Sequence, residues 1–234
     1  AANSIGLEKS VVEFKSLPQG QNSIKSFIPV SRISEMLLKP GEPFNYNGKS
    51  YIYPDIKLIY WAGGNPFHHH QDLSKFQKAW AKPDTVIEHE WCWNTLAKNA
   101  DIVLPCTVSL ERNDIAMSPR DPYIIAMEKI QSPKKYVKDD FDILSGIAQR
   151  MGIKQLFTNN RNSSEWIEWI YDKSRDSAAK NGIELPDFNT FKKKGWHKID
   201  APKKHFIMFA DFRSDPIKYP LKTLEALLPS GTSM

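Results

Sequence analysis

The spacing of apolar positions switches between two periods along the first half of the chain. Residues 56–61, IKLIYW, form a short apolar run rich in β-formers that stops at Gly63-Gly64. A buried strand of a parallel sheet reads this way. Beyond the turn, Leu73, Phe76, Gln77 and Trp80 mark one face of a helix that starts near Asp72 and breaks at Pro83-Asp84. Residues 85–89, TVIEH, are a second short strand, and a helix through residues 93–98 follows. Residues 101–104, DIVL, closed by Pro105, are a third strand. Strand, helix, strand, helix, strand with short connections predicts right-handed crossovers. The expected fold class is α/β, a Rossmann-like doubly wound parallel sheet.

The flanking segments are less regular. Residues 1–28 show no sustained period. Ser31, with Glu35 nearby, reads as the N-cap of a helix whose Ile33, Met36 and Leu37 share a face and which stops at Pro40-Gly41. Asn47-Gly48 signals a hairpin turn. Residues 140–151 have an acidic start and Gly152 as a stop, which suits a helix. Residues 163–180 predict a longer helix with Trp166, Trp169 and Ile170 facing a core. A short helix and a lysine-rich loop follow within 185–205, and HFIMFADF, 205–212, is the last strand expected. The chain thus divides into a sheet-building part, residues 1–152, and a helical and irregular C-terminal extension, residues 153–234.

Composition narrows the class without naming a function. The chain is 41% hydrophobic and 25% charged, ordinary for a globular protein. Its formal charge is +5, gathered partly in Lys134, Lys135 and Lys138, in Lys192, Lys193 and Lys194, and in Lys203 and Lys204. No nucleic-acid motif accompanies them, so they read as solvated lysines, and no nucleic-acid partner is expected. Two cysteines, Cys92 and Cys106, make neither a disulfide framework nor a CxxC metal site. No apolar run nears the roughly 20 residues of a membrane span. AANSIGLEKS at the start has neither an initiator methionine nor a signal-peptide core, and LLPSGTSM at the end has no clear element. The expectation is a fragment of a longer protein, with cytoplasm and periplasm both open.

Candidate chemistry gathers at strand ends. In an open α/β sheet ligands sit beyond the carboxyl ends of the strands, the place held by GGNPFHHHQD. Gly63 and Gly64 let backbone approach a ligand, and Asn65 can bridge the turn or bond the ligand. A helix N-terminus there would suit phosphate. His68, His69 and His70 can donate to phosphate oxygens or stack on a base. Adjacent histidines diverge in regular backbone, which weakens metal ligation; capping or packing of the turn is the plainer alternative. Asp101 precedes the third strand and can cap it or touch a ligand. Glu111, Arg112 and Asp114 lie just past that strand's carboxyl end, as ligand contacts or as a surface ion pair.

The set GGNPFHHHQDL, TVIEHEW, ADIVLPCTVSLERNDI and DPYIIAM resembles the molybdopterin oxidoreductase superfamily, in particular its dimethyl sulfoxide, trimethylamine N-oxide and biotin sulfoxide reductases. The resemblance is specific over most of residues 1–150 and looser to about Pro220. It implies a molybdenum bis-molybdopterin guanine dinucleotide cofactor and an S-oxide or N-oxide substrate whose oxygen ends in water. It also implies parent domains absent here: an N-terminal region with the serine that ligates molybdenum, and a C-terminal β-barrel. By motif position Gly64, Asn65, His69 and Gln71 would be cofactor contacts. Glu90, beside His89, would be the acidic residue expected after the second strand, and Asp114 a further contact. With the residues read from position alone, the expected cofactor-binding set is Gly63, Gly64, Asn65, His68, His69, Gln71, His89, Glu90, Asp101, Arg112 and Asp114, with no catalytic residue and no metal ligand. AMSPRDPY departs from the glycine-rich form usual after ERND. A stand-alone or degenerate nucleotide-binding module without catalysis is the competing class.

Overall fold

The computed structural model describes residues 14–21, 24, 28–117, 122–199 and 210–219. Their contacts sort into two units: Asn22–Glu88 with Cys92–Val103 and Ile207–Met234, and Ala1–Gln21 with His89–Trp91 and Leu104–Phe206.

The first unit opens with helix α1, Ile33–Leu38. The expected Ser31 cap is not made. Ser31 lies inside a 3-10 turn, Val30–Arg32, and the cap position falls to Arg32 without a side-chain bond. A residue wound into such a turn lacks the extended backbone a capping side chain needs. Glu35 instead accepts from Arg32 Nη1 at 2.6 Å and from the Tyr53 hydroxyl at 2.9 Å. Those two bonds, the Arg32 one first, hold its carboxyl below the usual range. The hairpin β1, Pro43–Tyr46, and β2, Lys49–Ile52, turns at Asn47 and Gly48 with φ of 48° and 71°. Two successive left-handed residues match the right-handed twist of the strands, as the Asn-Gly pair predicts.

Strand β3, Leu58–Ala62, leads through the one-turn helix α2, Pro66–His69, to α3, Leu73–Trp80. Asp72 caps α3, its Oδ1 accepting from Lys75 N at 3.0 Å. Strand β4, Thr85–Glu90, and strand β5, Ile102–Pro105, complete a sheet of order β3-β4-β5. The first bonds join strand starts, Thr85 N to Lys57 O and Asp101 N to Val86 O. The last joins strand ends, Cys106 N to Glu90 O. The sheet is therefore parallel, and the architecture is mixed α/β.

Two expectations fail here. β3 is not buried on both faces. Ile59 and Trp61 pack on the core, while Leu58 and Tyr60 on the other face stay exposed. The helix over 93–98 shrinks to a 3-10 turn, Ala97–Asn99. Asn94 Oδ1 accepts from Ala97 N at 3.0 Å, a capping bond that starts the turn at Asn94 rather than Trp93. Leu96, fully buried, anchors the turn. The unit's core joins Leu37, Phe67, Phe76, Ala79, Trp80, Val86 and Leu96, with Ile33 and Met36 packed against it.

The second unit holds an antiparallel sheet that the sequence pattern did not announce: β6, Asp114–Met117, β7, Tyr123–Met127, and β8, Trp196–Lys198, in that order. Helices α4, Asp140–Arg150, α5, Lys154–Thr158, α6, Ser163–Lys180, and α7, Phe188–Lys194, accompany it. Asn162 and Glu165 close a capping box on α6. Trp166 is buried there and donates to Thr158 O, while Trp169 is half-buried with Arg161 across both rings. The core gathers Ile124, Tyr171, Ala178, Leu185, Phe191 and Ile199. Residues 205–209 of the last expected strand lie outside the described residues. Its final residues, 210–212, are helical, within α8, Ala210–Ser214. Among the described residues no helix is long and apolar enough to cross a membrane.

Phe76 is fully buried and touches Phe67, His70 and Trp80. Phe76→Ala removes that packing and should cost about 3–5 kcal/mol, read from urea unfolding followed by tryptophan fluorescence.

Candidate functional site

The sequence candidates fall into two groups. In the first unit, β3 ends in two consecutive left-handed residues, Gly63 at φ 79° and Gly64 at φ 72°. A Cβ on either would meet nothing within 4 Å. The glycines are thus required by backbone conformation, and the space beside them is open. Trp61 Nε1 donates to Gly63 O at 2.9 Å and Gly64 O at 3.2 Å, which fixes both carbonyls. Asn65 is buried and caps α2, its Oδ1 accepting from Phe67 N at 3.0 Å. Its Nδ2 is buried with no hydrogen-bond partner. Pro66 sits at the first helical position, and Phe67 anchors the turn edge-on against Phe76 at 5.0 Å and Trp80 at 5.8 Å.

The three histidines divide. His68, His69 and the neighbouring Gln71 are exposed. His70 stacks on Phe76 at 4.5 Å and 17°, with Nε2 buried and unpartnered. Burial first, and His69 second, push its pKa below the ordinary 6.5. Among the described residues no group of three His, Cys, Asp or Glu side chains could hold a metal ion. The structure also changes the electrostatics expected of the turn. The helix that follows it directly is the single turn α2, and α3 begins anew at Asp72. One turn carries little macrodipole, so what the loop offers an anion or a base is individual donors. Asp101, in the same unit, stands at the start of β5, away from the strand's carboxyl end. Its Oδ2 accepts from Val86 N at 2.8 Å, the capping role.

His89, Glu90, Arg112 and Asp114 belong to the other unit. His89, nearly fully buried, places Nδ1 2.7 Å from Asp140 Oδ1. Glu90 Oε1 accepts from Trp91 N at 2.8 Å. Arg112 donates Nη1 to Thr107 O at 3.0 Å and sits 3.5 Å from Asp114 Oδ2. Sequence reasoning did not single out Thr107, Asp139 or Asp140. Thr107 donates its hydroxyl to Asp139 Oδ1 at 2.8 Å and its N–H to Lys138 O at 3.1 Å. The ends of β4 and β5 are thus tied to the start of α4. The acidic start of that helix was legible, but its partners, 32 and 51 residues away, were not. Glu88, fully buried in β4, was missed as well. Burial pushes the Cys106 thiol up to about 11, which leaves it protonated and unreactive near neutral pH.

An open turn, an unpartnered buried amide and exposed imidazoles form a set of hydrogen-bond donors suited to phosphate oxygens or a base edge.

Comparison with known proteins gives a consistent picture. The family model of molybdopterin oxidoreductases matches residues 18–150. A biotin sulfoxide reductase of Cereibacter sphaeroides is 40% identical over 230 residues, 98% of this chain and 31% of that protein. A dimethyl sulfoxide/trimethylamine N-oxide reductase of Rhodobacter capsulatus is 40% identical over 206 residues, covering 87% and 25%. A trimethylamine-N-oxide reductase of Haemophilus influenzae is 40% identical over 213 residues, covering 88% and 25%. The chain thus spans a quarter to a third of the length of these relatives. Among solved structures, acetylene hydratase from Pelobacter acetylenicus aligns with a TM-score of 0.47 and 17% identity, over 64% of this chain and 19% of that one.

Two outcomes follow from the turn. Gly64→Ala should destabilise by about 1–2 kcal/mol through its left-handed backbone alone, and Gly64→Asn by less, since Asn tolerates that region; thermal unfolding of the two variants separates them. His70 titrates with the opposite linkage to an ion-paired histidine. Its folded pKa is depressed, so its contribution is full above 6.5 and is lost as pH falls through that value toward the lower folded one. His70→Phe keeps a ring on Phe76 without the titration, so its stability should fall less than wild type between about pH 7 and pH 5.

Proposed function

The chain belongs to the molybdopterin oxidoreductase family, and on that premise we propose that it forms the cofactor-anchoring part of a molybdenum-dependent reductase of S-oxides or N-oxides. The observation that carries this reading is Asn65: a buried amide with one donor unpartnered, beside two glycines whose outer side is open. The residues present fit a nucleotide tail. In this reading the cofactor is molybdenum bis-molybdopterin guanine dinucleotide. Gly63, Gly64 and Asn65 bring backbone and amide to one guanosine and its pyrophosphate, with His68, His69 and Gln71 as exposed donors. Within their own unit, Arg112 would offer a cation and His89, Glu90 and Asp114 would serve as polar contacts, while Asp101, at the start of β5, would keep its capping role. When bound, the molybdenum–pterin group supplies the oxygen-transfer chemistry, and the substrate's oxygen leaves as water. The residues of this chain bind and orient it. They set cofactor retention and leave the chemical step to other parts of the enzyme. The chain's share of its relatives' length supports placing the metal ligand and the remaining cofactor contacts outside it.

The same reading takes the three parallel strands as the centre of a Rossmann-like doubly wound sheet. Residues 1–152 are its cofactor-binding portion and 153–234 an extension toward a further domain. The substrate class follows from the relatives named as biotin sulfoxide, dimethyl sulfoxide and trimethylamine N-oxide reductases.

The test is metal and guanine analysis of the intact parent enzyme, purified from a molybdenum-replete host. Wild type should carry molybdenum and release guanine nucleotide on acid treatment. Asn65→Ala should carry several-fold less of both while its circular dichroism stays unchanged. Full molybdenum and guanine content in the variant refutes the assignment.

A further inference from the structure

The lysine cluster Lys192, Lys193 and Lys194 plays no part in the cofactor reading. Cations at the end of a helix are favourable by themselves, and these three close α7. The structure shows more than that. Lys194 reaches over the ring of Trp196, Nζ 4.4 Å from its centroid. Lys198, at the end of β8, reaches over Tyr123 at 5.8 Å. Register pairs Tyr123 with Lys198 and Ile125 with Trp196 across β7 and β8. The two rings lie 5.9 Å apart. Tyr123, Ile125 and Trp196 are each 40% exposed or more, whereas Ile124, on the opposite face, is fully buried in the core. The outer face of this sheet is therefore a ladder of cation, ring, ring, cation.

No ion pair engages Lys192, Lys193, Lys194 or Lys198 among the described residues. Lys194 and Lys198 thus place two positive charges on an apolar strip, and among the described residues β8 is an edge strand of its sheet. An edge strand accepts a further extended segment through backbone bonds, with alternate side chains meeting the face. Holding the ammonium groups over the rings orders the lysines in advance and lowers the entropic cost of pairing.

We propose that the outer face of the β6-β7-β8 sheet, at Tyr123, Trp196, Lys194 and Lys198, is a docking surface for an extended acidic polypeptide segment. Charge complementarity selects carboxylates. The rings argue against stacked bases: they are tilted 60° to one another, so no common platform exists, and an ammonium already covers each.

The test uses the full chain and a fluorescent peptide of about ten residues alternating Glu and Val, long enough to lie along an edge strand. Binding should saturate and weaken with salt. It should fall roughly tenfold or more, about 1.4 kcal/mol, in Lys194→Glu/Lys198→Glu. A control with the same change in net charge, Lys49→Glu/Lys82→Glu, should bind as wild type. Circular dichroism checks folding, and Lys194→Gln/Lys198→Gln gives the milder loss if the reversed charges unfold the sheet. The proposal is overturned by absent saturation, by an equal loss in the control, or by tighter binding of a mixed-sequence single-stranded oligonucleotide or of phosphatidylglycerol vesicles.

Discussion

Phe67, seated edge-on against Phe76 and Trp80, is the contact on which the candidate cofactor turn depends. The turn is costly in one respect. Its two left-handed positions are glycines, which adopt that backbone freely, but a buried amide donor without a partner is unfavourable. The unpartnered donor alone costs about 1–3 kcal/mol. Burying Phe67 contributes a similar amount, about 1.5–3 kcal/mol, and Trp61 adds two bonds to the glycine carbonyls. The aromatic cluster therefore holds the loop in a conformation that the loop's own hydrogen bonds do not satisfy. A ligand acceptor brought to Asn65 Nδ2 recovers the outstanding cost. Affinity then comes from groups ordered before binding, which is the general advantage of preorganisation.

The other unit answers a related problem with polar contacts. Helix α4 starts with Asp139, Asp140 and Asp142, which suit the positive end of a helix. Two of them are already engaged: Asp139 takes the Thr107 hydroxyl and Asp140 lies against buried His89. A helix start so supplied with negative charge does not attract phosphate. On the proposed reading the cofactor's anionic part would meet Arg112 in this unit, whose guanidinium is braced by Thr107 O and Asp114. Bracing leaves a guanidinium fewer free donors but fixes their direction, and direction matters most for a planar, forked group.

Legibility in the sequence follows how local each signal is. The parallel strands at residues 56–61, 85–89 and 101–104 were readable to within about two residues because β-formers end at Gly, His-Glu and Pro. The Asn-Gly hairpin and the helix over Ser163–Lys180 were readable for the same reason, since turn and cap chemistry sits within four residues. Failures came where a distant partner decides. Ser31 lost its cap to a 3-10 turn, and Glu35 turned to Tyr53, 18 residues on. β7 and β8 pair across more than 70 residues, and neither three-residue β8 nor its lysine-rich surroundings suggested a strand.

The candidate site divides along the same line. Gly63, Gly64 and Asn65 could be singled out because their conformational demands are written into residue type. The separate fate of His70 could not: three identical side chains in a row carry no information about which one faces Phe76. That choice is made by α3, whose first turn brings Phe76 against the ring, and it converts a symmetric triplet into one packed ring and two exposed donors. A run of like residues at a strand end therefore marks a place where side chains can take different roles. It does not indicate which member packs and which stays exposed, because the division is set by the packing of the next helix.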